Sequence, residues 1–543
     1  MPFFYVLFYK PLSGLLTQIP QARRMEQVLR FLTAGRYGEA AATVRALMAD
    51  SPVPADADLR TLYGLALGGS GDLAAAVAEL SKVAWLRPDE PHPCLDLLPI
   101  LRGAGRDRDI APCLLATLAA TPRAPLVALA LARHYRESGE VRQALDLARH
   151  AVTLSPGFAE GHRLLAWVLA DLGDLAASAV HSGRAVTLDP DDAAAWSNLG
   201  VALTDLGRHA EGEDAHREAL RLAPEQPRVR VNRAVNLLAQ GRLAEAWPDY
   251  EWRLRLPGHT ALPIDRLLPD LASGVCLRGK TILITHEDGF GDTIQFARFA
   301  PLLADLGARV LAHAPAALER LFQTLDPRIT VLPSSAALPI FDYHCPYTSL
   351  PRAFGVSLTS IPAAPYLFAD PANAARWRDQ SPRIDRKIGL VWAGQARPWL
   401  EGYGALDGRR SMRLEDLAPL ATVPGICWVS LQKGPAAEEI AAASEFRRQH
   451  TAIWHPMKQV QDFADTAAII DGLDAVISVD TSVAHLAGAM GKPVFLLDRF
   501  DTCWRWLRER SDNPWYPSLT IFRQQKLGDW TGPIALIRQI LSS

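Results

Sequence analysis

The residues best suited to chemistry stand in loops of the second half of the chain. In "EDGFGDTIQFARF", Glu287 to Phe299, the strand-like "KTILIT" is followed by Gly289 and Gly291, then Asp292, then a helix-like run. A helix N-terminus presents unpaired N–H groups and a partial positive charge, which favour an anion. A carboxylate there opposes a bound diphosphate. Asp292 is therefore either the cap of a helix or a group whose task is to accept a proton. The two glycines would let the backbone turn tightly and approach a substrate closely.

A second loop lies in "VISVDTSVAHLAGAMGKPVFLL", where a buried-looking strand ends at Asp480 and a helix begins at Thr481 or Ser482. The N–H groups of Thr481, Ser482 and Val483, with two hydroxyls, make a cradle for a diphosphate, and His485 lies one turn in. The plainer alternative is that Asp480 is an N-cap and His485 a packed side chain. Lys433 in "VSLQKG" and Arg409 and Arg410 in "DGRRSM" also follow strands. Arg grips phosphate by a bidentate fork and Lys as a point charge, although each alone is equally a surface charge. With the anion in this last block, Asp292 faces it across a cleft, free to act as general base toward an acceptor hydroxyl.

These loops need strands to hold them. From about Cys276, β-branched runs ("TILIT", "ARVLAHA", "ITVLP", "KIGLVWAG", "ICWVSLQ", "DAVISVD", "PVFLL") alternate with amphipathic stretches. Such alternation predicts parallel sheets covered on both faces, with ligands outside the carboxyl ends of the strands. The spacing divides the region into two Rossmann-like halves, 275–375 on the acceptor side and 385–543 on the nucleotide side.

The first half is different. Gly71, Gly105, Gly139, Gly173, Gly207 and Gly241 recur at one step of 34 residues, and Pro88, Pro122, Pro156, Pro190 and Pro224 recur at the same step. Each glycine would end a first helix, and each proline would stand at the turn into the next repeat. A weaker copy surrounds Gly35 and Pro52, and a Trp-rich one, "AEAWPDYEWRLRLPG", closes the array near Gly258. Stacked helix pairs over 21–258 form an all-α superhelix with a concave groove. Asn198, Asn232 and Asn236 are candidates to bind an extended peptide there, or are simply solvated polar positions.

The chain has 543 residues, a formal net charge of -2 and 21% charged residues, which excludes bulk electrostatic binding of nucleic acid. The six cysteines show no metal-site or redox spacing, so no metal is expected and a reducing cytosol is the simplest setting. The start, "MPFFYVLFYKPLSGLLTQIP", reads as an irregular lead-in over 1–20, shorter than the roughly 20 apolar residues a bilayer requires and without a secretory leader. A cytoplasmic location follows, with a peripheral one at the inner membrane face as the alternative.

The segments "GFGDTIQFARF", "GLVWAG", "RRS", "SLQKG", "DFADTAAIIDGLDAVISVDTSVAHLAGAMGKPV" and "WRWLRERSDNPWYP" resemble the heptosyltransferase-like family of GT-B glycosyltransferases over most of 278–540. The repeats look like tetratricopeptide repeats, and bacterial proteins join the two. The resemblance implies inverting, metal-independent transfer from a nucleotide-diphosphate sugar to a glycan or protein hydroxyl, with no cofactor and with a protein partner in the repeat groove. It makes Asp292 the base and gives the donor to Asp480, Thr481 and His485, with Ser482 where the family has glycine. Arg409 or Arg410 supplies the cation, after a loop, "QARPWLEGYGALDG", that is longer than usual. Trp504, Trp506 and Trp515 either stack on base or sugar or pack with a final crossover helix. Two other readings are a repeat scaffold that binds nucleotide sugar without turnover and a nicotinamide enzyme. The second lacks the third glycine of its fingerprint.

Overall fold

The computed structural model describes residues 20–50, 56–259, 262–287, 289–395, 403–442, 446 and 453–543. The lead-in, Pro52 and residues 396–402 of the long loop lie outside the described residues. The chain divides into two compact units, Met1–Leu172 and Gly173–Ser543.

The first unit is built of helices such as Ala57–Ser70, Leu73–Leu86, Pro125–Glu137 and Val141–Leu154. Small residues set their spacing: Ala76, Ala128, Ala132, Ala144, Ala148 and Ala151 are fully buried, so neighbouring backbones approach closely. Gly105 closes a helix in the left-handed region at φ 66, and the next N–H, of Arg106, bonds back to the Leu101 carbonyl at 2.8 Å. That bond satisfies a carbonyl the helix end would leave orphaned, and only glycine takes such a φ without strain.

The second unit starts with the remaining repeat helices, Leu175–Leu188, Ala193–Asp205, His209–Leu222, Pro227–Ala239 and Leu243–Tyr250. These pack onto the α/β region. The Trp247 indole is buried and donates to the Val356 carbonyl at 2.8 Å. Arg508 stands against Gly207 and donates to the Asp205 carbonyl at 3.2 Å.

Among the described residues the α/β region holds two all-parallel sheets. The first has β1 (Thr281–Thr285), β2 (Arg309–Ala314), β3 (Thr330–Pro333) and β4 (Tyr343–Pro346) in the order β3-β2-β1-β4. The second has β5 (Arg386–Val391), β6 (Ile426–Ser430), β7 (Ile453–Trp454), β8 (Ala475–Val479), β9 (Val494–Asp498) and β10 (Leu519–Arg523) in the order β10-β9-β8-β5-β6-β7. Every residue of β6 and β8 is buried, which is why both read as continuous apolar runs. Strand order reverses between β1 and β4 in one sheet and between β5 and β8 in the other. At those points neighbouring loops diverge and leave a crevice.

Candidate active site

The loop after β1 carries Asp292 to the first of these crevices. The helix Phe290–Phe296 begins with Gly289 at the cap position, so Asp292 lies in its first turn and is not its cap. The Asp292 carboxylate forms an ion pair with Arg505. Neither glycine adopts a left-handed turn: Gly289 sits at φ −74 and Gly291 is absent from the positive-φ positions. The expected tight turn is thus made with ordinary backbone angles. Gly291 is required for a different reason, because a Cβ there would stand 2.8 Å from Cδ2 of His485.

That contact joins the two sheets' loops. His485 lies in the helix Ser482–Ala489, which follows β8 at the second crevice. Thr481 occupies the cap position, not Asp480, and no side chain caps the helix. The Thr481 hydroxyl instead meets Ser478 Oγ at 3.0 Å. The imidazole is buried, stacks on Trp506 with centroids 4.8 Å apart, and shares a 3.0 Å hydrogen bond between Nδ1 and the Tyr516 hydroxyl. Burial lowers its pKa to about 4, against the opposing pull of Asp480, so the ring is neutral at physiological pH.

The expected cations surround the same loop but are already engaged. Arg410 donates to the Asp480 carbonyl at 3.2 Å and pairs with Asp407 at 2.9 Å. It also covers Gly394, where a Cβ would stand 2.7 Å from its guanidinium. It thereby ties the loop after β5 to the loop after β8. Arg409 donates through Nε to Asp501 at 2.9 Å. Lys433 is exposed and gives one of its protons to the Val460 carbonyl at 2.8 Å, which leaves two for a ligand.

Several residues at the site were not read from the sequence. Arg505 stands between Trp504 and Trp506, a charge hidden in an aromatic run. Burial opposes its charge, yet Asp292 and then Cys503 raise its pKa well above the usual value. Within the loop after β1, Glu287, whose side chain is 5% exposed, accepts from Arg253 at 2.8 Å and Thr348 at 2.6 Å, and shares a 2.7 Å hydrogen bond with His259. Burial alone would raise the Glu287 pKa, but His259, Arg253 and Thr348 hold it down at about 2. Arg253 belongs to the closing repeat copy, so the array's end anchors the loop that carries Asp292.

The tryptophans are packing residues. Trp506 and Trp515 are essentially fully buried and Trp504 nearly so. Trp504 lies against Phe296, Trp247 and Tyr250, and Trp515 meets Phe296 edge-on. The expected crossover partner is not the last helix, Thr531–Ser542, whose buried face joins a separate apolar cluster with Leu497 and Phe522. In the repeats, Asn236 is fully buried and bonded to His209, so it is not a groove residue. Asn232 donates to Ser197 Oγ at 2.9 Å. Asn198 lines a cavity of about 430 Å³ with Ser197, Glu225 and Arg228, and its Nδ2 has no partner among the described residues.

A carboxylate and an uncapped helix N-terminus thus meet across two crevices, an arrangement suited to an anion on one side and a hydroxyl on the other. Residues 25–91, 129–185 and 179–227 match the model of the tetratricopeptide repeat. Residues 425–501 match that of glycosyltransferase family 9 (heptosyltransferase), a stretch that includes Lys433 and Asp480 to His485 but neither Asp292 nor Arg505. The chain thus carries tetratricopeptide repeats and, over this one C-terminal stretch, is similar to the heptosyltransferase family.

Protein FlbA of Caulobacter vibrioides is 30% identical over 311 residues, 52% of this chain and 50% of that protein. The match spans about half the length of that relative. Among solved structures, MamA is 21% identical over 28% of this chain and 91% of its own, with a TM-score of 0.26. A thermophilic repeat protein of Thermus thermophilus is 23% identical over 34% of this chain and 99% of its own, with a TM-score of 0.26.

Proposed function

We propose that the protein is a glycosyltransferase of GT-B type that moves a sugar from a nucleotide-diphosphate donor to a hydroxyl acceptor, inverting the anomeric carbon without a metal or other cofactor. The observation that carries this reading is the approach of Gly291 to His485, which sets Asp292 beside the uncapped Ser482 helix. The acceptor oxygen attacks the anomeric carbon as its proton passes to Asp292, and the bond from that carbon to the diphosphate oxygen breaks. The departing charge is met by the N–H groups of Ser482 and Val483 and by Lys433, while Arg409 and Arg410, engaged by Asp501 and Asp407, hold the surrounding loops in place. His485, held by Trp506 and Tyr516, sets the distance between the two loops.

The repeats recruit a protein partner or acceptor, and the cavity beside Asn198 is where an extended segment would lie. Cytoplasmic action fits a nucleotide-sugar donor, and no helix among the described residues is long and apolar enough to cross a membrane. One observation favours the non-catalytic scaffold instead: the Asp292 carboxylate is already paired with Arg505. The test is Asp292→Asn. Transfer should fall about 10²–10⁴-fold while donor still binds, with wild-type turnover unchanged by EDTA. Equal loss of donor binding and turnover would make Asp292 structural, and undiminished turnover would remove it as base.

A further inference from the structure

The charges at the cleft are distributed unevenly. Arg298 is buried but satisfied by carbonyls, those of Trp515 at 2.6 Å, Gln295 at 2.7 Å and Pro362 at 3.0 Å. Among the described residues Arg505 has one carboxylate partner, Asp292, and a weak sulfur contact from Nη1 to Cys503 at 3.2 Å, and its Nε is buried without a hydrogen bond. It is bracketed on both sides: Trp506, its neighbour in sequence, stacks on His485, and His485 touches Gly291, the neighbour of Asp292. The guanidinium and the carboxylate therefore meet within one residue of the contact that closes the Ser482 helix against the Asp292 loop.

We infer that Arg505 is a diphosphate-binding residue that exchanges partners, holding Asp292 while the donor site is empty and passing to the donor's phosphate oxygens when the site fills. The inference rests on the donor reading above. The ion pair holds the Asp292 carboxylate through Oδ1, so the group must be released before that oxygen can turn to an acceptor hydroxyl. A diphosphate carries more charge than one carboxylate and fits the same planar fork, so it can outcompete Asp292 for Arg505. Donor binding then frees the base at the moment an acceptor can use it. A nucleotide-free enzyme keeps Asp292 silent.

Competition gives a signature that a structural ion pair does not. Binding of ADP, GDP and UDP to the full chain is measured by titration calorimetry, and the one bound most tightly is carried through the variants. Asp292→Asn should tighten it by about tenfold, a step of about 1.4 kcal/mol, because Arg505 no longer has to leave a carboxylate. Arg505→Gln should weaken it by at least about tenfold, and Arg505→Lys by less. In the Arg505→Gln background, Asn at position 292 should no longer tighten binding. An unchanged affinity in Asp292→Asn overturns the exchange. So does tightening that survives without Arg505, since it would report only removal of a nearby negative charge. Asp292→Asn keeps the side chain's size and is decisive even if Arg505→Gln does not fold. Failure of all three diphosphates to bind the wild type would overturn the donor reading itself.

Discussion

Gly291 and His485 carry a prediction about packing. Trp506 and Tyr516 hold the imidazole on its other sides, so it cannot retreat from a Cβ placed 2.8 Å away. Gly291→Ala should cost about 1–3 kcal/mol in denaturant unfolding, the usual range for overpacking, and should reduce turnover by separating the loops. His485 and Glu287 also set a pH dependence. The folded-state pKa of His485 is lowered from 6.5 to about 4, so its contribution is complete above pH 6.5 and is lost as pH falls toward 4. That of Glu287 is lowered from 4.5 to about 2, so its contribution is complete above 4.5 and fades toward 2. Unfolding free energy measured between pH 6.5 and 4 should therefore fall less steeply in His485→Gln, by up to one proton's share of the slope. An identical slope would mean the ring is not buried neutral. Asp292 was legible in the sequence because an acidic residue contradicts the chemistry of a phosphate turn. Its partner Arg505 was not, since their meeting depends on the tertiary fold and an arginine between tryptophans carries no local signature of a site.

At the scale of elements, the repeats were the most legible part, because a glycine that must take a positive φ recurs at a fixed step and cannot be replaced cheaply. Seven strands announced themselves by β-branched runs. β4, β7 and β10 did not: "YHCP" has no β-branched residue, β7 is two residues long, and "LTIFR" follows an irregular Trp-rich stretch. The site loops were legible as loops after strands, but their convergence was not, because it depends on strand order, which the sequence does not encode locally. The joint between the last repeats and the α/β region turns on Trp247, packed against Tyr250 and Trp504. Trp247→Ala should cost about 3–5 kcal/mol, since it removes a buried ring and leaves the Val356 carbonyl without its donor. A loss below about 1 kcal/mol would show that this joint is loose.

For the whole molecule, the boundary between compact units falls after Leu172, inside the repeat array, not at its end. The periodicity gave no sign of this, because the later repeats keep the same spacing while packing on the α/β region. A chain of residues 173–543 is therefore predicted to fold cooperatively and bind nucleoside diphosphate as the full chain does. One starting at 275 loses Arg253, Trp247 and Tyr250 and is predicted to aggregate. Circular dichroism melts of the two pieces check this. The central claim is that the paired crevices bind a nucleotide-diphosphate sugar. Its most direct test is thermal unfolding of the full chain with ADP-, GDP-, UDP- and CMP-linked sugars in EDTA, because a ligand that binds only the folded state raises its stability by mass action. A selective rise in Tm with one of the three diphosphate-linked classes, ADP, GDP or UDP, is expected. A rise with the monophosphate-linked CMP sugar alone, or no rise with any of the four at millimolar concentration, would contradict the claim.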